Sequence, residues 1–526
     1  MKHYKYRDYF RNIFPCLGYG LLCGTLVGAV IFFFKLLAKL LEENARFVYG
    51  YVKENPWLIP VLFAGLILAA FVMNLLHKKI PEVKGGGIPR SEGILRGVLP
   101  FKWLKTFLGT FFGSMISFLV GLPLGSEGPA VLIGTSIGGM CDGLSKSKSA
   151  WGRCIMTGGA GAGFAVATGA PLAAILFTLE EIHKKFTPML MLTVSVSVVS
   201  ASLVNSWLCK MFGLSASLFH LPSLSVFELS QVGYVLIFGV LTALAVGLFD
   251  GSVEWIYKIT RKISSSSNHL VKLMIFFVLT GVLGLCFSGG IYSGHDVIEK
   301  VMVRSESLTL LFVLLVVRLL MMLIATNSAA TGGIFIPTLA IGALFSAFFA
   351  NLMVLIGMPE EYFTVLVLLG MCAFLGGTLR APITSLIFFI EITGSASNIL
   401  FAAVVVFTVN FIVEMYDEKP FYDRVLHSME KAEHKDKTFS VKYFCVKVSK
   451  GSFVIGKSVR DILWPHASVI VSITRDGKDF SDTDKDGEKL LYEGDSLIIR
   501  ARCYDEEEIK DHLYDLMGRD HEIEIA

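Results

Sequence analysis

Long apolar runs separated by short polar stretches dominate the chain from Pro15 to about Val413, for example "PWLIPVLFAGLILAAFVMNLL" (56–76) and "VGYVLIFGVLTALAVGLFDG" (232–251). One crossing of a bilayer takes about 20 apolar residues, so about ten or more membrane segments fit this region. The pattern then changes. "SMEKAEHKDKTFSVK" (428–442) is polar, and beyond it "YFCVKVSK", "ASVIVSITRDG" and "GDSLIIRARC" alternate as strands do, with "DEEEIKDHLYDLMG" reading as a closing helix. The pattern predicts an all-α polytopic membrane region over 1–433, a linker over 434–442 and a small α+β domain over 443–526.

Composition agrees. Of 526 residues, 54% are hydrophobic and only 17% charged, and the mean hydropathy is +0.64, beyond the usual globular range. The net charge of +3 gives no reason to expect a nucleic-acid partner, because the basic residues lie between apolar runs. "MKHYKYRDYFR" (1–11), "HKK" (77–79), "SKSKSAWGR" (145–153) and "HKK" (183–185) read as cytoplasmic by the positive-inside rule, and the stretch 212–231, almost free of Lys and Arg, as external. No cleavable signal is expected, since the run from Pro15 is long and lacks a small-residue cleavage site. Nine scattered cysteines without a CxxC pair suggest neither a disulfide framework nor a zinc site.

The membrane region carries a weak internal repeat. "APLAAILFTLEEI" (170–182) aligns with "APITSLIFFIEIT" (381–393), Ala-Pro on Ala-Pro and Glu180 on Glu391, and a Gly-rich segment precedes each copy. Repeated halves with interrupted apolar segments mark transporters whose broken helices meet near the midplane. Three breaks stand out: "KGGGIPRSEG" (84–93), "GSEGPAVLIG" (125–134) and "TGGIFIPTLAIG" (331–342). In each, glycines lead to a proline ahead of an apolar helix. Proline suits the first helical turn, and glycine lets backbone N–H groups approach a ligand. Each break is expected to be a helix N-terminus with unpaired donors and the positive end of a dipole. Several such ends together form an anion site.

These residues resemble the signature loops of the CLC family of chloride channels and proton/chloride antiporters: Gly85, Gly86, Gly87, Ile88 and Pro89; Gly125, Ser126, Glu127, Gly128 and Pro129; Gly333, Ile334, Phe335, Ile336 and Pro337. "KPFYDRVL" (419–426) resembles that family's last membrane helix, whose tyrosine closes the inner side of the pore. The resemblance implies a CLC-like fold of inverted repeats, a homodimer with one pathway per subunit, and a place in the cell's inner membrane with both termini cytoplasmic. It implies chloride held by the backbone N–H groups of Ile334 and Phe335, the Tyr422 hydroxyl and loop groups around Gly86 and Glu127. No cofactor and no enzymatic activity are expected.

An acid at mid-membrane costs at least about 2.5–3.5 kcal/mol and is by default functional. Glu127 falls in the first turn of its helix, where the dipole favours its anion while burial opposes it. Ionised, it can fill the anion site itself; protonated, it can swing away and leave room for chloride. An inner relay is expected in "LFTLEEIHKKF" (176–186). Adjacent helix residues point about 100° apart, so Glu180 and Glu181 have different roles. The resemblance matches Glu181 to the antiporters' internal proton glutamate, and Glu180, with Glu391, to a buried structural acid.

Two positions depart from the family pattern. Gly86 stands where chloride-selective members usually carry serine, which puts selectivity in question, and Ser126 stands where arginine is usual, which removes a positive charge beside Glu127. "GTSIG" (134–138) and "GAGAGFA" (159–165) mimic a hydrolase elbow and a dinucleotide loop, but small residues spaced for close helix packing explain both. "DTDKDGEKLLYE" (482–493) fits a calcium loop with Asp482, Asp484, Asp486 and Glu493 as ligands, yet its flanks read as strands. The stretch resembles a regulator-of-potassium-conductance domain of the TrkA-C type. That implies a cytoplasmic regulatory module that pairs with its twin and takes a small ligand such as a cyclic dinucleotide. The expected function is exchange of chloride for protons. The alternatives are a passive chloride channel and a fluoride or less selective anion–proton exchanger.

Overall fold

The computed structural model describes residues 2–525 apart from 145–150, 217, 220, 222–223, 265–268, 304–305, 417, 435–439, 466, 480–485 and 505. The helices of the first half are α1 (Lys2–Glu54), α2 (Ile59–Lys79), α3 (Gly87–Arg96), α4 (Trp103–Val120), α5 (Glu127–Leu144), α6 (Gly152–Thr168), α7 (Pro171–Phe177) and α8 (Pro188–Phe212). The second half comprises α9 (Val232–Ser264), α10 (His269–Cys286), α11 (His295–Met302), α12 (Leu308–Ser328), α13 (Phe335–Leu355), α14 (Phe363–Leu379), α15 (Pro382–Thr393), α16 (Ile399–Glu414) and α17 (Phe421–Glu433). Among the described residues nine helical segments are long and apolar enough to cross a membrane. Shorter apolar helices include Pro382–Thr393 and Ile399–Glu414. This is a multi-pass membrane protein with a small α+β tail.

The repeat has a structural counterpart. Glu180 accepts hydrogen bonds from the Ile383 and Thr384 N–H groups (3.3 and 2.8 Å) at the start of α15, and from the Thr384 hydroxyl (2.7 Å). Glu391 accepts from the Leu172 and Ala173 N–H groups (2.8 and 2.7 Å) at the start of α7. Each acid caps the partner repeat's helix, satisfying donors with no intrahelical acceptor. Both are half-buried, less buried than the resemblance implied.

Small residues set the spacing of α5 and α6. A Cβ added at Gly134 would lie 2.1 Å from the Gly159 carbonyl oxygen, one at Gly159 2.2 Å from the Gly134 oxygen, and one at Gly163 2.2 Å from the Ala130 oxygen. The two helices therefore touch backbone to backbone along "GTSIG" and "GAGAGFA", which contain no strand-to-helix turn. Gly159→Ala is expected to destabilise the protein by about 3 kcal/mol, the upper end for overpacking, because neither neighbour is a side chain that can move. A thermal midpoint in detergent several degrees below wild type is the expected reading.

In the tail, β1 (Ser440–Lys447), β2 (Ser468–Arg475), β3 (Lys478–Asp479), β4 (Ser496–Cys503) and β5 (Glu524–Ile525) form an antiparallel sheet in the order β3-β2-β4-β1-β5. Helix α18 (Glu506–Met517) packs on β1 and β4. Phe444, Val446, Leu497, Ile499 and Leu513 make its core. Strand β1 begins at Ser440, inside the stretch expected to be linker. The calcium reading loses its geometry: Asp486 opens a single 3₁₀ turn (Asp486–Glu488), exposed Glu493 precedes β4, and Asp482 and Asp484 lie outside the described residues. Strands, not helices, flank the segment.

The tail docks on the membrane region. Leu463 is buried in the membrane region's core. Arg153, at the start of α6, donates to the His512 ring (2.9 Å) and the Trp464 carbonyl (3.4 Å). Burial, with the Arg153 guanidinium beside it, pushes His512 down to about 3. Its imidazole therefore stays neutral and accepts from arginine.

Candidate functional site

The three breaks meet. Helices α3, α5 and α13 start at Gly87, Glu127 and Phe335, so Pro89, Pro129 and Pro337 each stand third in their helix, within the expected first turn. Gly125 and Gly333 pair as an antiparallel bridge, with N–H to carbonyl distances of 2.7 and 2.8 Å. Gly87 lies so close to Gly128 that an added Cβ would sit 1.9 Å from the Gly128 oxygen, and one on Gly128 would lie 2.7 Å from the Gly333 Cα. Only hydrogen side chains allow this contact, which aims three positive helix ends at one buried region. Gly85, with φ +80°, makes the turn into α3, and its N–H bonds the Ala329 carbonyl.

Glu127 is fully buried. Its Oε1 accepts from Ser126 Oγ (3.1 Å), and the carboxylate lies against the N–H groups of Ser126 and Glu127. The side chain thus folds back over its own helix start. Its Oε2 has no hydrogen-bond partner among the described residues. The charge missing at Ser126 has a counterpart elsewhere: Lys35 of α1 donates to the Val166 carbonyl (2.9 Å) within electrostatic range of Glu127.

Ile334 and Phe335 are buried at the start of α13, where the first N–H groups have no intrahelical acceptor. Phe335 belongs to an aromatic wall with Phe164, Phe177 and Phe388, its ring centroid 5.0, 6.2 and 6.0 Å from theirs. Tyr422, on the first turn of α17, is buried with no hydrogen-bond partner for its hydroxyl among the described residues. It lies within electrostatic range of both Glu127 and Glu181. Ile88 and Ile336 are buried beside their prolines.

Glu181 sits on a π-helical turn (Thr178–Ile182) that continues α7. This turn directs Glu181 inward, 2% exposed, while Glu180 reaches α15. Around Glu181 the structure gathers residues that the sequence reading left unassigned: Glu92 on α3, Lys184 in the following loop and Asp423 on α17. Lys184 Nζ lies 2.8 Å from Asp423 Oδ2, 3.6 Å from Glu92 Oε1 and 3.8 Å from Glu181 Oε2. Glu92 was visible as a carboxylate inside a signature loop, and Asp423 directly follows Tyr422. Lys184 looked like one more basic residue of a cytoplasmic loop.

Broken helices converging on an interior site within a multi-pass bundle define the class of protein. A family model described as voltage gated chloride channel matches residues 65–414, and the chain belongs to the CLC family. It is 31% identical over 424 residues to a protein of Vibrio parahaemolyticus serotype O3:K6 named H(+)/Cl(-) exchange transporter ClcA, covering 77% of this chain and 88% of that protein. The same name belongs to a Vibrio cholerae serotype O1 protein, 29% identical over 79% of this chain and 89% of its own. Among solved structures, the fold is shared with a slow cyanobacterial Cl-/H+ antiporter (TM-score 0.73, 24% identity, 80% of this chain and 99% of that one). A CLC-type fluoride/proton antiporter shares it as well (TM-score 0.62, 21% identity, 76% and 95%).

Proposed function

We propose that this protein exchanges chloride for protons across the inner membrane as a homodimer, with Glu127 as gate and proton carrier and Glu181 as inner proton acceptor. The observation that carries the reading is the buried Glu127 carboxylate folded onto Ser126 Oγ and the N–H groups at the start of α5; in this reading it stands in the place of an anion. Two negative charges about 4 Å apart repel by about 4 kcal/mol at an effective dielectric of about 20, about a thousandfold in occupancy. Ionised Glu127 and chloride therefore exclude one another there. A proton arriving on Glu127 cancels the repulsion and weakens its hold on the helix end, so the anion enters as the carboxyl leaves. Tyr422 borders the inner side of the chloride path, with backbone N–H groups of Ile334 and Phe335 beyond it. Protons pass by Glu181, to one side of that opening.

The relatives named as exchangers support this reading. So does the side on which the tail packs, because Arg153, from a basic segment read as cytoplasmic, bonds the tail there. In this reading both termini are cytoplasmic. The tail acts as a regulatory module whose ligand alters transport only by binding one transport state more tightly.

Proteoliposomes with an internal pH probe test the proposal. A chloride gradient should drive protons uphill; chloride flux without proton movement would replace the exchanger with a channel. Gly86 adds a second test. Its backbone has ordinary angles (φ −73°, ψ 138°), and an added Cβ meets nothing closer than 3.7 Å, so serine fits. One further hydrogen bond is worth about 1 kcal/mol. Gly86→Ser should raise the preference for chloride over nitrate about fivefold; an unchanged anion ranking would show that this loop does not set selectivity.

A further inference from the structure

Three carboxylates and two cations are packed where the inner proton acceptor meets the inner anion gate. Lys184 Nζ is shared among Asp423 (2.8 Å), Glu92 (3.6 Å) and Glu181 (3.8 Å), and Arg96 lies 2.6 Å from Glu92 and 3.7 Å from Asp423. The formal sum is one negative charge in excess. Among the described residues Glu181 has one ion-pair contact, Lys184 at 3.8 Å, whereas Glu92 and Asp423 each have two, the nearer at 2.6 and 2.8 Å, so by ion pairing it is the least engaged of the three acids. Lys184 itself is held in a left-handed backbone conformation, φ 53°, which crowds the Cβ of a non-glycine residue against the following carbonyl. That crowding is tolerated where the ammonium is fixed by its partners. Asp423 is covalently next to Tyr422, whose ring closes on the anion path from the same helical turn.

We propose that Lys184 and Asp423 form a latch that ties the helix carrying Tyr422 to the charge state of Glu181. The latch rests on the roles given above to Tyr422 and Glu181. With Glu181 protonated, Lys184 has Asp423 as its strongest partner and α17 is held. When Glu181 releases its proton, the ammonium moves toward the new anion, and its grip on Asp423 loosens. Proton release on the inner side and freedom of the inner gate are thereby linked by one side chain. Lys184 is a positioning residue: it touches neither chloride nor the transferred proton. The charged and titratable groups facing Glu181 are Lys184 from its own loop, Glu92 and Arg96 from α3, and Asp423 and Tyr422 from α17.

The test is chloride flux from the full-length protein in liposomes as a function of internal pH, with proton flux recorded in parallel. Removing a cation disfavours the Glu181 anion by about one pH unit. Lys184→Met should therefore move the internal-pH midpoint of chloride flux up by about that much, while Lys184→Arg should keep the wild-type profile. Asp423→Asn frees the ammonium for Glu181 and should move the midpoint down. The Asp423→Asn effect should largely vanish in the Lys184→Met background. Both single variants should also pass more chloride per proton. A residue that merely supported the fold would lower yield or flux without opposed pH shifts. Unchanged midpoints, or shifts in the same direction, overturn the latch. If Lys184→Met does not fold, the downward shift in Asp423→Asn decides alone. If wild type moves chloride without protons, the exchanger reading fails, and the midpoint shifts still decide the latch.

Discussion

Glu127→Gln is expected to abolish proton movement while chloride still crosses. Glutamine keeps the size of the protonated acid, cannot ionise, and so cannot claim the helix end against chloride. A positioned proton-transfer group contributes about 10²–10⁴-fold, so proton flux in proteoliposomes should fall at least about a hundredfold. Chloride flux should persist and lose its dependence on external pH, because the titrating competitor is gone. The structural reason is local. The carboxylate is held by Ser126 Oγ and by the N–H groups of its own first turn, so it has no separate partner whose loss would unfold the site. Uphill proton transport surviving in this variant would remove Glu127 from the proton path.

The second large effect is selective in the opposite sense. Glu181→Gln should reduce proton flux by at least about a hundredfold while chloride still crosses, at a rate that no longer varies with internal pH and matches wild type at low internal pH, where Glu181 is protonated. Glu181 sits on the π turn that follows α7, among the carboxylates of Glu92 and Asp423, the Lys184 ammonium and the Arg96 guanidinium. Chloride has no reason to approach three acids, whereas a proton does. In the proposed mechanism the two carboxylates divide the work: Glu127 stands where both ions pass and Glu181 where only protons do. The same flux assay, with chloride followed by an electrode and protons by a pH probe, separates the outcomes. Equal losses of both fluxes in Glu181→Gln would place it on a shared path.

Much of this architecture was legible because the loops carry their own chemistry. Glycines that permit backbone contact, a proline in the first helical turn and an acid between glycines can be read from "GSEGP" alone, and the structure places all three breaks at helix starts. The tail's strands followed from their alternation. What escaped the sequence depends on distant parts of the chain meeting. Lys184 and Asp423 are 239 positions apart, and nothing in "HKK" marks one lysine as half-buried among acids. Lys35 lies inside an apolar run of α1, and its nearness to Glu127 appears only once α1 packs beside α5 and α6. Glu180 and Glu391 aligned in the repeat, but their exchange of caps needs the two halves folded against each other. The docking of Leu463, Trp464 and His512 against α6 was likewise hidden, since a tail separated by a polar stretch reads as independent.

The competition between a carboxylate and a halide has a direct equilibrium signature. Chloride that displaces ionised Glu127 leaves a carboxyl in poorer surroundings, which then takes up a proton. Adding chloride to the purified full-length protein in weakly buffered detergent solution should therefore consume up to about one proton per subunit, and Glu127→Gln should consume none. Wild-type protein that binds chloride without taking up protons, or a variant that takes up as many, would contradict the account.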